Sequence, residues 1–334
     1  MKYLREFITL LQLADIDLKQ GEPMCRHTSF QIGGPVAVMT FPKNAGQVKE
    51  ILRIARQFQI TPMILGAGSN ILAPDQGLDT VMIETRTAMN QVEELGNGVF
   101  TAQAGATMAR LAAFAMERGY TGLEFAHGIP GTVGGGVYMN AGAYGGEMCQ
   151  VVTGVTAMDR MGNLLELPAS ELELSYRHSR FMSEDLVILS ATVQLKKGDR
   201  EEIRTKMAEL MNRRRTSQPL EFPSAGSTFK RPKTGYAAAM IEEAGLKGLR
   251  VGDAQVSEKH AGFVINRGRA TSRDVLALME KIQDKVQEDT GIRLEPEVRI
   301  LEVQKPCAFY LLPDSPAQGK AGPRPHWRIW AITV

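Results

Sequence analysis

The chain reads as an α+β protein of more than one domain, and three observations predict it. Up to about residue 120, short amphipathic helical segments alternate with short apolar strands. Between residues 151 and 197 strand signals dominate, and a tight-turn sequence joins two of them, which predicts antiparallel pairing. A polar helix at 199–215 then introduces a second set of helices and strands.

Residues 1–18 read as an amphipathic helix and 36–41 (VAVMTF) as a strand. Asn44 is placed to cap a helix whose apolar face is Val48, Ile51, Leu52, Ala55 and Phe58. Strands follow at 62–65, 80–84 and 98–103, and Thr107 opens a helix that runs to Arg118 and stops at Gly119. VVTGVTAMDRMGNLLEL reads as a hairpin turned at 160–163, and LVILSATVQLKK (186–197) as one long strand. The helix from Asp199 to Arg215 is acidic in its first turn and basic in its last, which suits its dipole. Residues 217–234, with Pro219, Pro223 and Pro232, read as a loop. GYAAAMIEEAG is a helix closed by Gly245, and AGFVIN is a strand. Thr271 and Ser272 open a helix with the apolar face Val275, Leu278, Met279, Ile282 and Val286, ended by Gly291. EVRILEV is the last strand. Residues 303–334 hold five prolines and both tryptophans without helical period, so poor order is expected there.

Composition narrows the class. With 43% apolar and 23% charged residues and a net charge of +2, the chain offers no reason for a nucleic-acid or anionic-membrane partner. The early apolar run FITLLQLA is too short to span a bilayer and precedes no small-residue cleavage site, so a cytoplasmic location is expected. Cys25, Cys149 and Cys307 are odd in number and far apart, which predicts reduced thiols and no zinc site. The five histidines show no ligand spacing, so no metal is expected, and nothing indicates an obligate protein partner.

The most informative stretch is LEFAHGIPGTVGGGVYMNAGAYGGE (123–147), with glycines at 128, 131, 134, 135, 136, 142, 145 and 146. Such density costs backbone entropy, and its usual return is close approach of N–H groups to the anionic oxygens of a diphosphate. No charged residue lies between Glu124 and Glu147 and no GxxxxGK[ST] is present, so backbone dipoles are expected to hold the anion. The candidates are Gly128, Gly131, Thr132, Gly135 and Asn140. A second loop, in TPMILGAGSNIL (61–72), offers Gly66, Gly68, Ser69 and Asn70 after a short apolar strand. Two such loops point to a dinucleotide such as FAD. The absence of GxGxxG followed by an acid about 20 residues on argues against a Rossmann half.

Three polar islands could carry chemistry. SYRHSRF (175–181) supplies Arg177, whose planar fork suits a substrate carboxylate; the alternative is a surface arginine. AGSTFKRP (225–232) presents Ser227 after a glycine, outside any GxSxG elbow. LEPEVRIL (294–301) holds Glu297 against an apolar strand, where desolvation shifts a carboxyl toward its protonated form; the alternative is an edge acid paired with Arg299.

Taken in order, RHTSFQIGG (26–34), LGAGSNIL (65–72), the glycine stretch, SYRHSRF, GSTFKRP (226–232) and LEPEVRIL resemble the UDP-N-acetylenolpyruvoylglucosamine reductases, from about residue 5 to 302. The likeness is to the shorter type, since little separates SYRHSRF from the next strand. The resemblance implies an FAD-binding domain of the vanillyl-alcohol-oxidase-like (PCMH) kind at 26–198, in subdomains of roughly 26–90 and 91–198, after a lead-in at 1–25. A substrate-binding domain at 199–302 would follow, and 303–334 has no counterpart. It further implies that NADPH reduces non-covalent FAD. Hydride then passes from flavin N5 to C3 of UDP-N-acetylglucosamine enolpyruvate, forming UDP-N-acetylmuramate for peptidoglycan. Ser227 matches the proton donor to C2, Arg177 and Glu297 the stabilising pair, and Tyr176, Arg213 and Lys230 substrate contacts. Arg231 stands where many members have Asn. An FAD oxidase of the same flavin fold, or a nucleotide-binding module without catalysis, are the alternatives.

Overall fold

The computed structural model describes residues 3–302, together with the backbone of Ala331–Ile332. Its first sheet has the strand order Leu18–Pro23, Pro35–Thr40, Leu78–Glu84, Met63–Leu65 and Ala331–Ile332. The first pair is antiparallel and the others are parallel. Asn44 Oδ1 accepts from the Gln47 amide at 3.0 Å, so the helix Ala45–Gln57 starts where its capping residue predicts. That helix buries Val48, Ile51, Leu52, Ile54 and Ala55; Phe58 ends it as the C-cap.

The second sheet, Leu164–Pro168, Val152–Asp159, Leu186–Gln194, Val99–Gln103 and Val92–Gly96, is antiparallel throughout. The Asp159 carboxylate accepts from the amides of Met161 and Asn163 and closes the expected hairpin turn. Thr107 caps the helix Met108–Glu117, as read from the sequence. A third, four-stranded antiparallel sheet runs in the order Ser224–Ser227, Phe263–Asn266, Ala254–Val256, Arg250–Val251. The helices Ala237–Glu243 and Ser272–Thr290 accompany it. Thr271 and Asp274 form a capping box at the start of the second helix, and Gly291 ends it at φ +73°.

Apolar burial follows this division without separating the parts. The largest buried cluster gathers residues from Phe7 to Met207. A second gathers the residues from Ala225 to Val298, and Phe30, Ile32 and Leu72 complete it. Polar ties run across the same seam. Asp75 accepts from the Ser272 amide at 2.7 Å and its hydroxyl at 2.8 Å, at the N-terminus of the last helix. Ser29 Oγ donates to the Ser224 carbonyl at 2.6 Å.

Several expectations need correction. The first helix covers only Leu4–Leu13; Asp15 turns the chain at φ +54°, and the polar edge strand Leu18–Pro23 lacks the apolar alternation that would have marked it. Val92–Gly96 was missed although Asn97-Gly98, at φ +51° and +78°, is a hairpin-turn dipeptide. The loop expected at 217–234 contains the strand Ser224–Ser227, bent at Gly226. The strand expected from EVRILEV shrinks to Arg299–Ile300, which pairs in parallel with Ile71–Leu72. The glycine stretch encloses a short helix, Val133–Tyr138. The expectation for 303–334 lies outside the described residues, apart from the Ala331–Ile332 backbone. Among the described residues no helix is long and apolar enough to cross a membrane.

Candidate active site

The two glycine loops meet face to face. The strand Met63–Leu65 ends at Gly66, where a Cβ would collide with Thr132 Oγ1 of the other loop. A Cβ on Gly131 would come within 3.7 Å of Ser69 Oγ. Gly68 sits at φ +62°, against the His27 carbonyl, where only glycine fits. The RHTSFQIGG segment thus buttresses the first loop; the Ser29 amide also donates to the Gly68 carbonyl at 3.1 Å. Thr132 is fully buried, and its hydroxyl accepts from the Gly135 amide at 3.3 Å to cap the short helix.

Not all the glycines serve close approach to a ligand. A Cβ at Gly134 would press on Ala104, one at Gly136 on the Met108 sulfur, and one at Gly146 on the Phe125 ring. These three permit internal packing, a use indistinguishable in sequence from a ligand cradle.

Asn140 is also spent inside the protein. It is fully buried at φ +41°; its amide donates to the Ser175 carbonyl and to Glu147 Oε2, both at 3.1 Å, and its oxygen accepts from the Cys149 amide at 2.8 Å. Ser179 Oγ donates to the Tyr138 carbonyl at 2.7 Å. The glycine-rich segment therefore fixes both ends of the turn that carries Arg177. Within it, Ser175 and His178 exchange backbone hydrogen bonds and Arg177 takes φ +53°.

That geometry points Arg177 at Glu297, and Arg177 Nε donates to Glu297 Oε1 at 2.5 Å. Both side chains are largely buried, at 22% and 11% exposure. Glu297 is held through its backbone: its amide donates to the Thr228 carbonyl at 2.8 Å, and its carbonyl accepts from Asn70 Nδ2 at 3.0 Å. The alternative reading, an edge acid paired with Arg299, does not form: Glu297 pairs with Arg177. Arg299 turns to the Tyr138 hydroxyl at 3.1 Å, while its amide donates to the Asn70 carbonyl at 2.9 Å. Burial raises the Tyr138 phenol pKa and the nearby Arg299 opposes it.

Ser227 precedes Thr228 in this network and its side chain is exposed; Gly226, at φ +74°, bends the strand just before it. The Tyr176 hydroxyl accepts from the Arg231 amide at 3.1 Å, joining the SYRHSRF turn to GSTFKRP. A cavity of about 400 Å³ opens here, lined by Gly142, Tyr144, Glu147, Tyr176, Arg177 and Arg231. Lys230, next to Arg231, pairs with exposed Glu295 at 3.3 Å, and exposed Arg213 stacks 5.0 Å from the Tyr144 ring centroid. The structure brings Arg177, Glu297, Asn70 and Tyr176, which the sequence reading named in separate roles, into one neighbourhood. Sequence reasoning missed the holding residues Ser175, Ser179, Thr228 and Arg299. It also missed Arg214, whose guanidinium lies beside Gly128 although the glycine stretch itself carries no charge.

Known proteins resemble this chain in sequence and fold. Residues 36–168 match an FAD binding domain, and residues 218–301 match the UDP-N-acetylenolpyruvoylglucosamine reductase C-terminal domain. The UDP-N-acetylenolpyruvoylglucosamine reductase of Clostridium kluyveri is 44% identical over 295 residues, covering 88% of this chain and 96% of the relative. That of Caldanaerobacter subterraneus is 46% identical over 289 residues, covering 85% and 95%. The crystal structure of the Thermus caldophilus reductase superposes with a TM-score of 0.73 at 32% identity, covering 86% of this chain and 99% of that one. The fold class is therefore α+β, an FAD-binding domain followed by the C-terminal domain of these reductases, and the chain belongs to the UDP-N-acetylenolpyruvoylglucosamine reductase family.

Proposed function

We propose that this chain reduces UDP-N-acetylglucosamine enolpyruvate to UDP-N-acetylmuramate with NADPH through FAD, a cytoplasmic step of peptidoglycan precursor synthesis. The observation that carries the reading is the Arg177–Glu297 pair tied directly to Asn70 of the first glycine loop. Arginine and carboxylate adjoin the place where a dinucleotide's diphosphate fits, with Ser227 one residue from the same hydrogen-bond network.

The residues fit FAD. Gly66 lets the two loops close on each other, and Gly68 and Ser69 leave backbone amides and one hydroxyl at the seam, while the Gly131 amide donates to the Ile129 carbonyl at 2.9 Å. Residues 26–198 would hold the cofactor and 199–302 the substrate. Bound FAD supplies hydride chemistry, accepting from NADPH and giving to C3 of the enol ether.

The chain's own side chains supply the rest. Hydride arrival at C3 drives negative charge onto C2 and its carboxylate. Arg177 faces that charge with a planar fork, and Glu297 fixes the fork's orientation. A positioned donor of this kind is worth roughly 3–4 kcal/mol. Ser227 delivers the proton to C2; a hydroxyl is a weak acid in water but suffices against a strongly basic carbanion within hydrogen-bond reach. Tyr176, Arg213 and Lys230 contact the nucleotide-sugar around the cavity mouth.

The test is spectral. The purified protein carries flavin absorbance that is released on denaturation, bleaches with NADPH under anaerobic conditions, and returns on addition of the enolpyruvyl sugar. Recovery only with oxygen would indicate an oxidase instead, and a chain that neither carries nor takes up FAD would end this reading.

A further inference from the structure

The strand Met63–Leu65 is apolar along its whole length, and all three residues are buried. On one side it pairs in parallel with Leu78–Glu84. Left unpaired on the other, it would present free backbone N–H and C=O groups, the usual liability of a sheet edge. That side carries the backbone of Ala331–Ile332, also in parallel, with Ala331 opposite Ile64 and Ile332 opposite Leu65. The pairing fixes a register. Continued toward lower numbers, it sets Trp330 opposite Met63, Ile329 opposite Pro62 and Trp327 opposite Ile60.

A cavity of about 280 Å³ opens beside those same residues, and its lining includes Ile60, Pro62, Leu52, Arg56 and Arg160. Leu52 and Arg56 belong to the helix Ala45–Gln57, and Arg160 to the hairpin turn of the second sheet. Both guanidiniums are held in place. Arg160 pairs with Asp185 at 3.0 Å, and Arg56 Nη1 donates to the Arg160 carbonyl at 3.0 Å. Apolar walls beside fixed guanidiniums suit an indole, whose body buries apolar area and whose face attracts a cation more strongly than other aromatic rings do.

Strand positions alternate between the two faces of a sheet, so positions 327 and 329 share the face of position 64. Ile64 joins the apolar cluster that holds Ile51 and Leu52 of the helix, whereas Met63 and Leu65 join another. Positions 327 and 329 therefore fall on the helix side, where the cavity lies.

We propose that the occupant of this cavity is the chain's own C-terminal segment: the strand Ala331–Ile332 extends back along the sheet edge, and the Trp327 indole fills the space between Arg56 and Arg160. The segment closes an edge that would otherwise accept a strand from another molecule, and it staples the first sheet to the hairpin of the second.

The experiment uses the full chain, in which Trp327 and Trp330 are the only tryptophans. Trp330→Phe leaves Trp327 as the sole indole fluorophore. Its emission should be blue-shifted and shielded from acrylamide, and Arg56→Ala in that background should return it toward solvent. Trp327→Ala should speed hydrogen exchange of the segment Met63–Leu65 by at least about tenfold, the effect of losing about 1.4 kcal/mol of protection. Exchange in the strand Val99–Gln103 should not change, and Trp327→Phe, which keeps a ring, should restore most of the protection. A solvent-exposed Trp327 overturns the proposal, as does unchanged exchange at Met63–Leu65 or an equal rise at Val99–Gln103. A Trp327 that stays shielded after Arg56→Ala places the indole elsewhere and overturns it too. Shielding that grows with protein concentration alongside a dimer in sedimentation gives the cavity to a second copy, which also contradicts the proposal. If Trp327→Ala does not fold, the fluorescence of the Trp330→Phe chain decides.

Discussion

Arg177 and Glu297, 120 residues apart, share one hydrogen bond of 2.5 Å that closes three segments on each other. Arg177 stands on a turn fastened to the glycine-rich segment by Asn140 and Ser179. Glu297 is fastened to the first glycine loop by Asn70 and to Thr228, the residue that follows the strand Ser224–Ser227. The pair therefore positions the first glycine loop and the cavity beside Tyr176 together.

Glu297→Gln should preserve the shape of the pair and remove its charge. Flavin reduction by NADPH should stay within a few-fold of the parent. Reoxidation by the enolpyruvyl sugar should slow by about 10²–10³, the loss expected when an electrostatic stabiliser of the transition state is misplaced. Anaerobic stopped-flow separates the two. Slowing of both by the same factor would mean that the pair holds the fold rather than the chemistry.

Gly66→Ala should strain the contact between the loops, because the new methyl meets Thr132 Oγ1. Thermal stability and FAD affinity should both fall. The damage should shrink in a Thr132→Ala background, which itself loses a helix cap worth about 1 kcal/mol. A double-mutant cycle reads this coupling, and strictly additive effects would place the loops apart.

Glu84 is a buried carboxyl, 3% exposed, whose pKa is raised above 4.5 by burial; its hydrogen bond from the Thr87 amide works in the opposite direction. The folded state thus binds this proton more tightly than the unfolded chain. The resulting stability is complete below pH 4.5 and disappears as pH rises through the raised value. Glu84→Gln cannot titrate, so between pH 5 and 8 the parent should lose melting temperature relative to the variant. A constant difference across that range would contradict the assignment.

Much of this was legible in sequence because the signals are local. Asn44, Thr107 and Thr271 cap the helices that their positions announce, and Gly291 ends the last one. The ordered motifs also named both members of the Arg177–Glu297 pair, which no spacing could have joined. What escaped notice is tertiary. Leu18–Pro23 is an edge strand with polar faces, and Arg299–Ile300 exists as a strand only through Ile71–Leu72. Arg214 reaches Gly128 from a helix that begins 72 residues further along the chain, at Arg200. The uncharged glycine stretch gives no hint of it.

The most direct test of the account is Ser227→Ala followed through both half-reactions under anaerobic conditions. The substitution removes a hydroxyl from an exposed position and little volume, so flavin binding should persist. NADPH should bleach the flavin at a near-normal rate. Its recovery on adding the enolpyruvyl sugar should slow by at least about 10²-fold, the lower end for losing a positioned acid, with Ser227→Cys regaining part of the rate. Recovery at the parent rate would contradict the account and remove Ser227 from proton delivery to C2.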